Sequence, residues 1–234
     1  MKLDTLLRLR ELQGQGQPAV LVTRCRDGAQ AVVHDHSVEG ELTLDPEIVK
    51  QAWARVRTDA SGYIDGDLFA RVYNPPLRLL LVGAVHIAQA LAMIAEAAGF
   101  ATTIIDPRTS FATGERFADA KLVTEWPDQA MAALAPDART AVVTLTHDPK
   151  LDEPALRRAL QSEAFYVGSL GSRKTHAARL ERLRKEGIPE ESLARIHAPV
   201  GLPLGGRRPA EIAVSILAEI IQELYREHGR KDPH

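Results

Sequence analysis

Cysteine is nearly absent from this chain, with Cys25 the only one among 234 residues. A lone thiol excludes an intramolecular disulfide and any cysteine-based metal cluster. Net charge is also nearly absent. Lys+Arg at 29 against Asp+Glu at 31 leaves -2, which gives no overall electrostatic drive toward nucleic acid or acidic membranes. Long apolar runs are missing too, since none approaches the ~18 residues of a membrane span. The opening MKLDTLLRLRELQ carries charges through its apolar positions, so it reads as an amphipathic helix and not as a secretory signal. These absences point to the cytoplasm. No internal repeat or low-complexity segment interrupts the chain, whose length suits one large domain or two modest ones.

The pattern along the chain changes once. Leu3, Leu6, Leu7 and Leu9 lie close to one face of a short helix over 3–12, ended by Gly14, Gly16 and Pro18. Residues 19–24 and 29–34 read as a hairpin around Asp27-Gly28, residues 45–57 as a helix with Asp45 at the N-cap and Pro46 at its first position, and 63–73 as strand. Asn74-Pro75-Pro76 then denies backbone donors and marks a boundary between residues 1–75, a small α+β domain, and residues 76–234. Beyond it, Leu79–Val82 is continuously apolar, as a strand buried on both sheet faces should be. Strands at 101–105, 121–123, 140–145 and 164–168 alternate with helices at 86–98, 128–134 and 154–161, with two more helices at 174–186 and 209–228. Alternation of this kind predicts right-handed crossovers and a Rossmann-like parallel sheet.

Five segments carry candidate chemistry. Gly83 joins a buried strand to a helix through a tight turn, where the helix N-terminus favours phosphate, and His86 offers a donor. The dinucleotide fingerprint is altered, however, because Val85 stands where the second glycine admits a pyrophosphate; a plain strand-to-helix turn is the alternative. Asp106 follows at the end of the next strand, the place of a ribose-binding carboxylate, and Arg108 can clamp a phosphate through its fork. Otherwise Asp106 satisfies turn donors and Arg108 is solvated. Thr146-His147-Asp148-Pro149-Lys150-Leu151-Asp152 ends another strand; its spacing is not a metal motif, Asp152 suits the N-cap of the next helix, and His147 can face a ligand. Gly168 to Lys174 is a Gly/Ser turn entering a helix, in which Gly171 lets backbone approach an anion and Ser172 and Arg173 add donors; a simple Ser172 cap is the alternative. Arg207 and Arg208 oppose the dipole at the start of the last helix, which hints at a bound anion or partner. In the first domain, His34 and His36 share a strand face without a third ligand, and Cys25 between two arginines is weak evidence for a reactive thiol. No metal site and no catalytic acid/base pair is recognisable by spacing.

Taken together, VGAVHIAQAL, IDPR, LTHDPKLDEPAL, YVGSLGSRKTHAARLERL and HAPVGLPLGGRRPAEIAVSILAEII, in order from about Leu79 to Glu223, resemble the XdhC/CoxI family. Its members are accessory proteins of molybdenum hydroxylases such as xanthine dehydrogenase and carbon monoxide dehydrogenase. The resemblance implies a cofactor-binding chaperone. Its cargo would be the molybdenum cofactor, as molybdopterin or its dinucleotide form, with sulfuration assisted and the cofactor inserted into a client molybdenum hydroxylase. A cysteine desulfurase would be a further partner. Two departures stand out. Many members have Gly-Ala-Gly-His where this chain has Gly83-Ala84-Val85-His86, and the family's Gly-Gly-Cys-x-Glu has Ser37-Val38-Glu39-Gly40-Glu41 as its nearest counterpart, without the cysteine.

The residues and the resemblance agree on a crevice. Gly83, His86, Asp106, Arg108, His147, Gly171, Ser172 and Arg173 all fall at carboxyl ends of expected parallel strands, where they can converge on a phosphorylated ligand. The competing readings are an NAD(P)-dependent oxidoreductase on the same fold, which Val85 disfavours, and a nucleotide-sensing module. A homodimer is expected only from the frequency of twofold assemblies.

Overall fold

In the computed structural model, residues 2–117 and 120–226 are described. They form two compact units, which divide between Pro75 and Pro76.

The first unit contains α1 (Leu3–Gly14), β1 (Ala19–Arg24), β2 (Gln30–His34), β3 (Ser37–Gly40), α2 (Pro46–Thr58), β4 (Gly62–Tyr63) and β5 (Leu68–Tyr73). The strands make one antiparallel sheet in the order β3-β2-β1-β5-β4. Strand alternation divides β1 between two layers. Val20 and Val22 pack with Val49 and Ala52 of α2, while Ala19 and Leu21 pack with Leu9 and Leu12 of α1. A strand covered on both faces has no polar face, which is why AVLV is uninterrupted. Asp45 and Pro46 do occupy the N-cap and first position of α2, although the Asp45 side chain makes no capping bond. The expected strand over 63–73 is two strands, and β3 has no counterpart in the sequence reading because all four of its residues are exposed.

The second unit contains β6 (Leu77–Val82), α3 (His86–Ala97), β7 (Phe100–Ile105), β8 (Lys121–Val123), α4 (Pro127–Leu134), β9 (Thr140–Thr144), α5 (Pro149–Leu160), β10 (Tyr166–Ser169), α6 (Arg173–Lys185), α7 (Glu190–Leu193), β11 (Ile196–His197) and α8 (Pro209–Arg226). Residues 227–228, expected at the end of the last helix, lie outside the described residues. The sheet runs β11-β10-β9-β6-β7-β8 with every pairing parallel, a Rossmann-like arrangement. Leu79 and Leu81 face a layer that holds α3 and α8, whereas Leu80 and Val82 face the layer of α4 and α5. Each such burial contributes about 1.5–3 kcal/mol.

The order of connections sets the crevice. From β6 the chain crosses through α3 to β7 on one side, and from β9 it crosses through α5 to β10 on the other. Strands β6 and β9 are neighbours, so their carboxyl ends form the switch point at which open α/β sheets bind ligands.

One helix start needs correction. The expected helix over 154–161 begins instead at Pro149, with Asp148 as the N-cap accepting from the Lys150 N–H at 3.0 Å. Asp152 is therefore not a cap; it lies inside α5 and is 1% exposed. Both Pro149 and Pro154 fit the first helical position by sequence. The buried face of Leu151, Ala155, Leu156 and Ala159 holds α5 together across Pro154 despite the amide that proline lacks.

Candidate functional site

The turn after β6 closes on itself. Gly83 has φ +112, a conformation that favours glycine, and a Cβ there would lie 2.5 Å from Cγ2 of Thr146. Its N–H donates to the Ile105 carbonyl at 2.9 Å, and the Ala84 N–H donates to Oδ2 of Asp106 at 2.8 Å. These two amides are thus occupied. The next groups belong to α3, where Val85 occupies the N-cap with no side-chain capping bond and His86 is exposed.

Asp106 closes the β7 side. It is fully buried, and besides Ala84 it accepts from Nε and Nη2 of Arg108 at 2.9 and 2.8 Å and from the Arg108 N–H at 3.0 Å. Burial alone pushes its carboxyl up, but these donors outweigh burial and hold it below the usual carboxylate range. The carboxylate placed for a ribose hydroxyl is engaged by the turn, and the Nε–Nη2 edge of the Arg108 fork is engaged by Asp106. The Arg108 guanidinium also lies 4.8 Å from the centre of the Phe111 ring. Arg116 donates through Nη1 to the carbonyls of both Ala84 (3.1 Å) and Phe111 (2.7 Å), which ties the loop after β7 to the Gly83 turn.

Across the switch point, the loop after β9 is ordered by Asp152. Its Oδ1 accepts from the Thr146 hydroxyl at 2.7 Å and the Thr146 N–H at 3.3 Å. His147 is exposed with φ +62, an unusual backbone for a non-glycine residue. Behind this loop, Arg179 of α6 is 2% exposed, stands 4.0 Å from Oδ2 of Asp152 and donates to the Leu170 carbonyl at 3.0 Å. Burial pushes the Asp152 carboxyl up and the Arg179 guanidinium down. Burial, with the nearby Arg179 charge, also holds the His176 imidazole below its ordinary range. Among the described residues, Asp152 Oδ2, Arg179 Nη1 and His176 Nδ1 have no hydrogen-bond partner. Gly171 adopts φ +140 over this group, and Ser172 caps α6 by accepting from the Thr175 N–H at 3.1 Å.

The structure therefore places Gly83 and His86, Asp106 and Arg108, His147, and Gly171 to Arg173 at the carboxyl ends of four neighbouring strands, β6, β7, β9 and β10. Arg207 and Arg208 lie just before α8, after β11. Their backbone N–H groups donate to Oε2 of Glu211 at 2.9 and 3.0 Å, and the exposed Arg208 guanidinium stands 3.8 Å from Oε1 of the same residue, so Glu211 brings a counter-charge to the start of the helix. In the first unit, His34 bonds the Pro18 carbonyl at 3.1 Å, and both His34 and His36 lie against Trp53. Among the described residues, no group of three or more His, Cys, Asp or Glu is arranged to hold a metal.

Three structural groups escaped the sequence reading: Arg179, Arg116, and the Tyr166–Glu219–His197 set. The Tyr166 hydroxyl and the Gly201 N–H donate to Glu219, and the Tyr166 ring stacks on His197 at 4.6 Å. Burial and the Glu219 carboxylate push the Tyr166 hydroxyl far above its ordinary range. Arg116 and Ala84 are 32 residues apart, and Tyr166 and Glu219 are 53 apart, so no local spacing marks these pairs.

Comparison with known proteins places this geometry. The XdhC Rossmann domain model matches residues 79–220. The uncharacterized protein YqeB of Escherichia coli is 32% identical over 193 residues, covering 81% of this chain and 36% of that protein. The molybdenum cofactor insertion chaperone PaoD of Escherichia coli is 31% identical over 179 residues, covering 76% of this chain and 49% of that protein. This chain thus spans between about a third and a half of the length of these curated relatives. A crystal structure described as a xanthine dehydrogenase from Bacillus halodurans superposes with TM-score 0.74 at 26% identity, over 98% of this chain and 65% of that one.

Proposed function

The chain belongs to the XdhC family, and from that premise we propose that it is an accessory protein that carries the molybdenum cofactor to a molybdenum hydroxylase. The relative PaoD, named as an insertion chaperone for that cofactor, supports the reading. One structural observation carries it: the candidate segments share the carboxyl edge of β10, β9, β6 and β7, on both sides of the switch point. A phosphorylated pterin, as molybdopterin or its dinucleotide, fits an edge of this kind. His86 and the start of α3 contact phosphate, Gly171, Ser172 and Arg173 form the opposite wall, and His147 faces the cargo between them. Gly83, Asp106 and Arg108 shape the floor. Assistance in sulfuration, a cysteine desulfurase partner, a homodimer and a cytoplasmic location complete the proposal.

The oxidoreductase alternative is weaker. It needs a carboxylate free for a ribose hydroxyl, and Asp106 is fully buried on Ala84 and Arg108.

Mass spectrometry of the small molecules released from the protein, made in a host that produces the cofactor, tests the proposal. Recovery of a molybdopterin species is the expected result. Tight NADH binding with hydride transfer to an acceptor overturns it.

A further inference from the structure

The loop after β7 holds an aromatic ring in the open. Phe111 is 46% exposed, one of several large apolar side chains that this unit leaves open, but it is the one held beside the Gly83 turn. Three contacts fix it there. Arg116 bonds its carbonyl, the Phe111 N–H donates to the Arg108 carbonyl at 2.9 Å, and the Arg108 guanidinium rests on its ring. The same Arg116 nitrogen holds the Ala84 carbonyl, so the ring is anchored beside the turn that leads into α3.

Charge decides what such a surface can hold. The Arg108 guanidinium is paired with the buried Asp106 through two nitrogens, so its positive charge is offset and its Nε–Nη2 edge is filled. The guanidinium lies over one face of the Phe111 ring. With its charge offset by Asp106, the pair draws an anion only weakly, and its outer faces are suited to stacking a planar heterocycle.

We propose that Phe111 and Arg108 form a shelf on which the planar heteroaromatic ring of a phosphorylated ligand stacks, with Arg116 as the positioning residue that holds the shelf beside the crevice. The inference rests on the phosphate-binding reading of that crevice and adds to it the position of the ring. It also gives Arg108, part of the crevice floor, a role as ring platform in place of the phosphate clamp that the sequence suggested.

Calorimetric titration of the full chain with GDP and with inorganic pyrophosphate separates ring from phosphate. Phe111→Ala weakens GDP binding by about ten-fold or more and leaves pyrophosphate affinity unchanged, while Phe111→Tyr restores GDP binding. GDP affinity unchanged in Phe111→Ala overturns the shelf and leaves the phosphate reading standing. Equal losses for GDP and pyrophosphate give Phe111 a role only in folding the loop, and also overturn the shelf. A parent chain that binds neither probe overturns both readings.

Discussion

Arg179 and Asp152 face each other at 4.0 Å, each almost fully buried and each with one atom, Nη1 and Oδ2, that no partner among the described residues satisfies. The separation is too long for a direct charge-assisted bond, which spans about 2.7–2.9 Å. The pair instead links two loops of the crevice: Asp152 orders Thr146 after β9, and Arg179 holds Leu170 after β10.

Removing one partner of this pair should be costly. Arg179→Met leaves a buried carboxylate uncompensated and lowers unfolding free energy by about 3–5 kcal/mol. Adding Asp152→Asn to that variant removes the stranded charge and recovers part of the loss. Urea denaturation of the two single variants and the double variant checks this. Additive losses would show that the two side chains do not depend on each other.

Asp106 behaves in the opposite way with pH. Its folded carboxyl sits below its unfolded value because Arg108 and two N–H groups favour the ionised form. The resulting stability is fully present above the unfolded value, about 3.9, and is lost as pH falls through the folded value. Asp106→Asn should therefore cost about 2–3 kcal/mol at pH 7, where charge-assisted bonds are lost, and progressively less on acidification. Denaturant midpoints of parent and variant between pH 7 and pH 2 should converge; a gap that does not change with pH would refute this.

Much of the fold was legible because burial on both faces leaves a visible mark. The LLLV of β6 and the AVLV of β1 are continuous apolar runs for that reason. β3 lacks such a mark because its four residues are exposed, and β11 is only two residues long. The edge that carries the candidate site was legible as well, since strand ends follow from strand positions. The interior of that edge was not. Arg179 lies in RKTHAARLERLRK, where every cation reads as part of a solvated helix face, and only packing of α6 against α5 and the Leu170 loop decides which one is buried. Arg116 is equally silent, because its partner Ala84 precedes it by 32 residues. Asp152 was visible but misassigned, since two prolines competed for one helix start.

Gly83 is required by its neighbour Thr146. Gly83→Ala places a Cβ 2.5 Å from Cγ2 of Thr146 at φ +112. The clash and the strained backbone together should destabilise the protein by about 2–4 kcal/mol. Thr146→Ser deletes the offending methyl and keeps the hydroxyl that bonds Asp152. Combined with Gly83→Ala it should return the steric part of the loss and leave the backbone part. Thermal unfolding of this cycle measures the two parts, and a double variant no better than Gly83→Ala would mean that the backbone term is the whole effect.

Ser172 and Arg173 are adjacent at the start of α6, yet they should separate cleanly. The Ser172 hydroxyl accepts the Thr175 N–H, so Ser172→Ala removes a cap and lowers stability by about 1 kcal/mol. Arg173 is exposed at the first position of the helix, where a cation opposes the dipole. Arg173→Ala should leave the unfolding midpoint unchanged or slightly raised. If its charge serves a phosphorylated cargo, the same variant weakens pyrophosphate binding, and the deficit shrinks as salt is raised because an exposed charge is screened. Titrations of pyrophosphate into the parent and Arg173→Ala proteins at low and high ionic strength read this directly. Unchanged affinity at low salt would take Arg173 out of the binding site and leave the loop at Gly171 as a turn closed by its own serine.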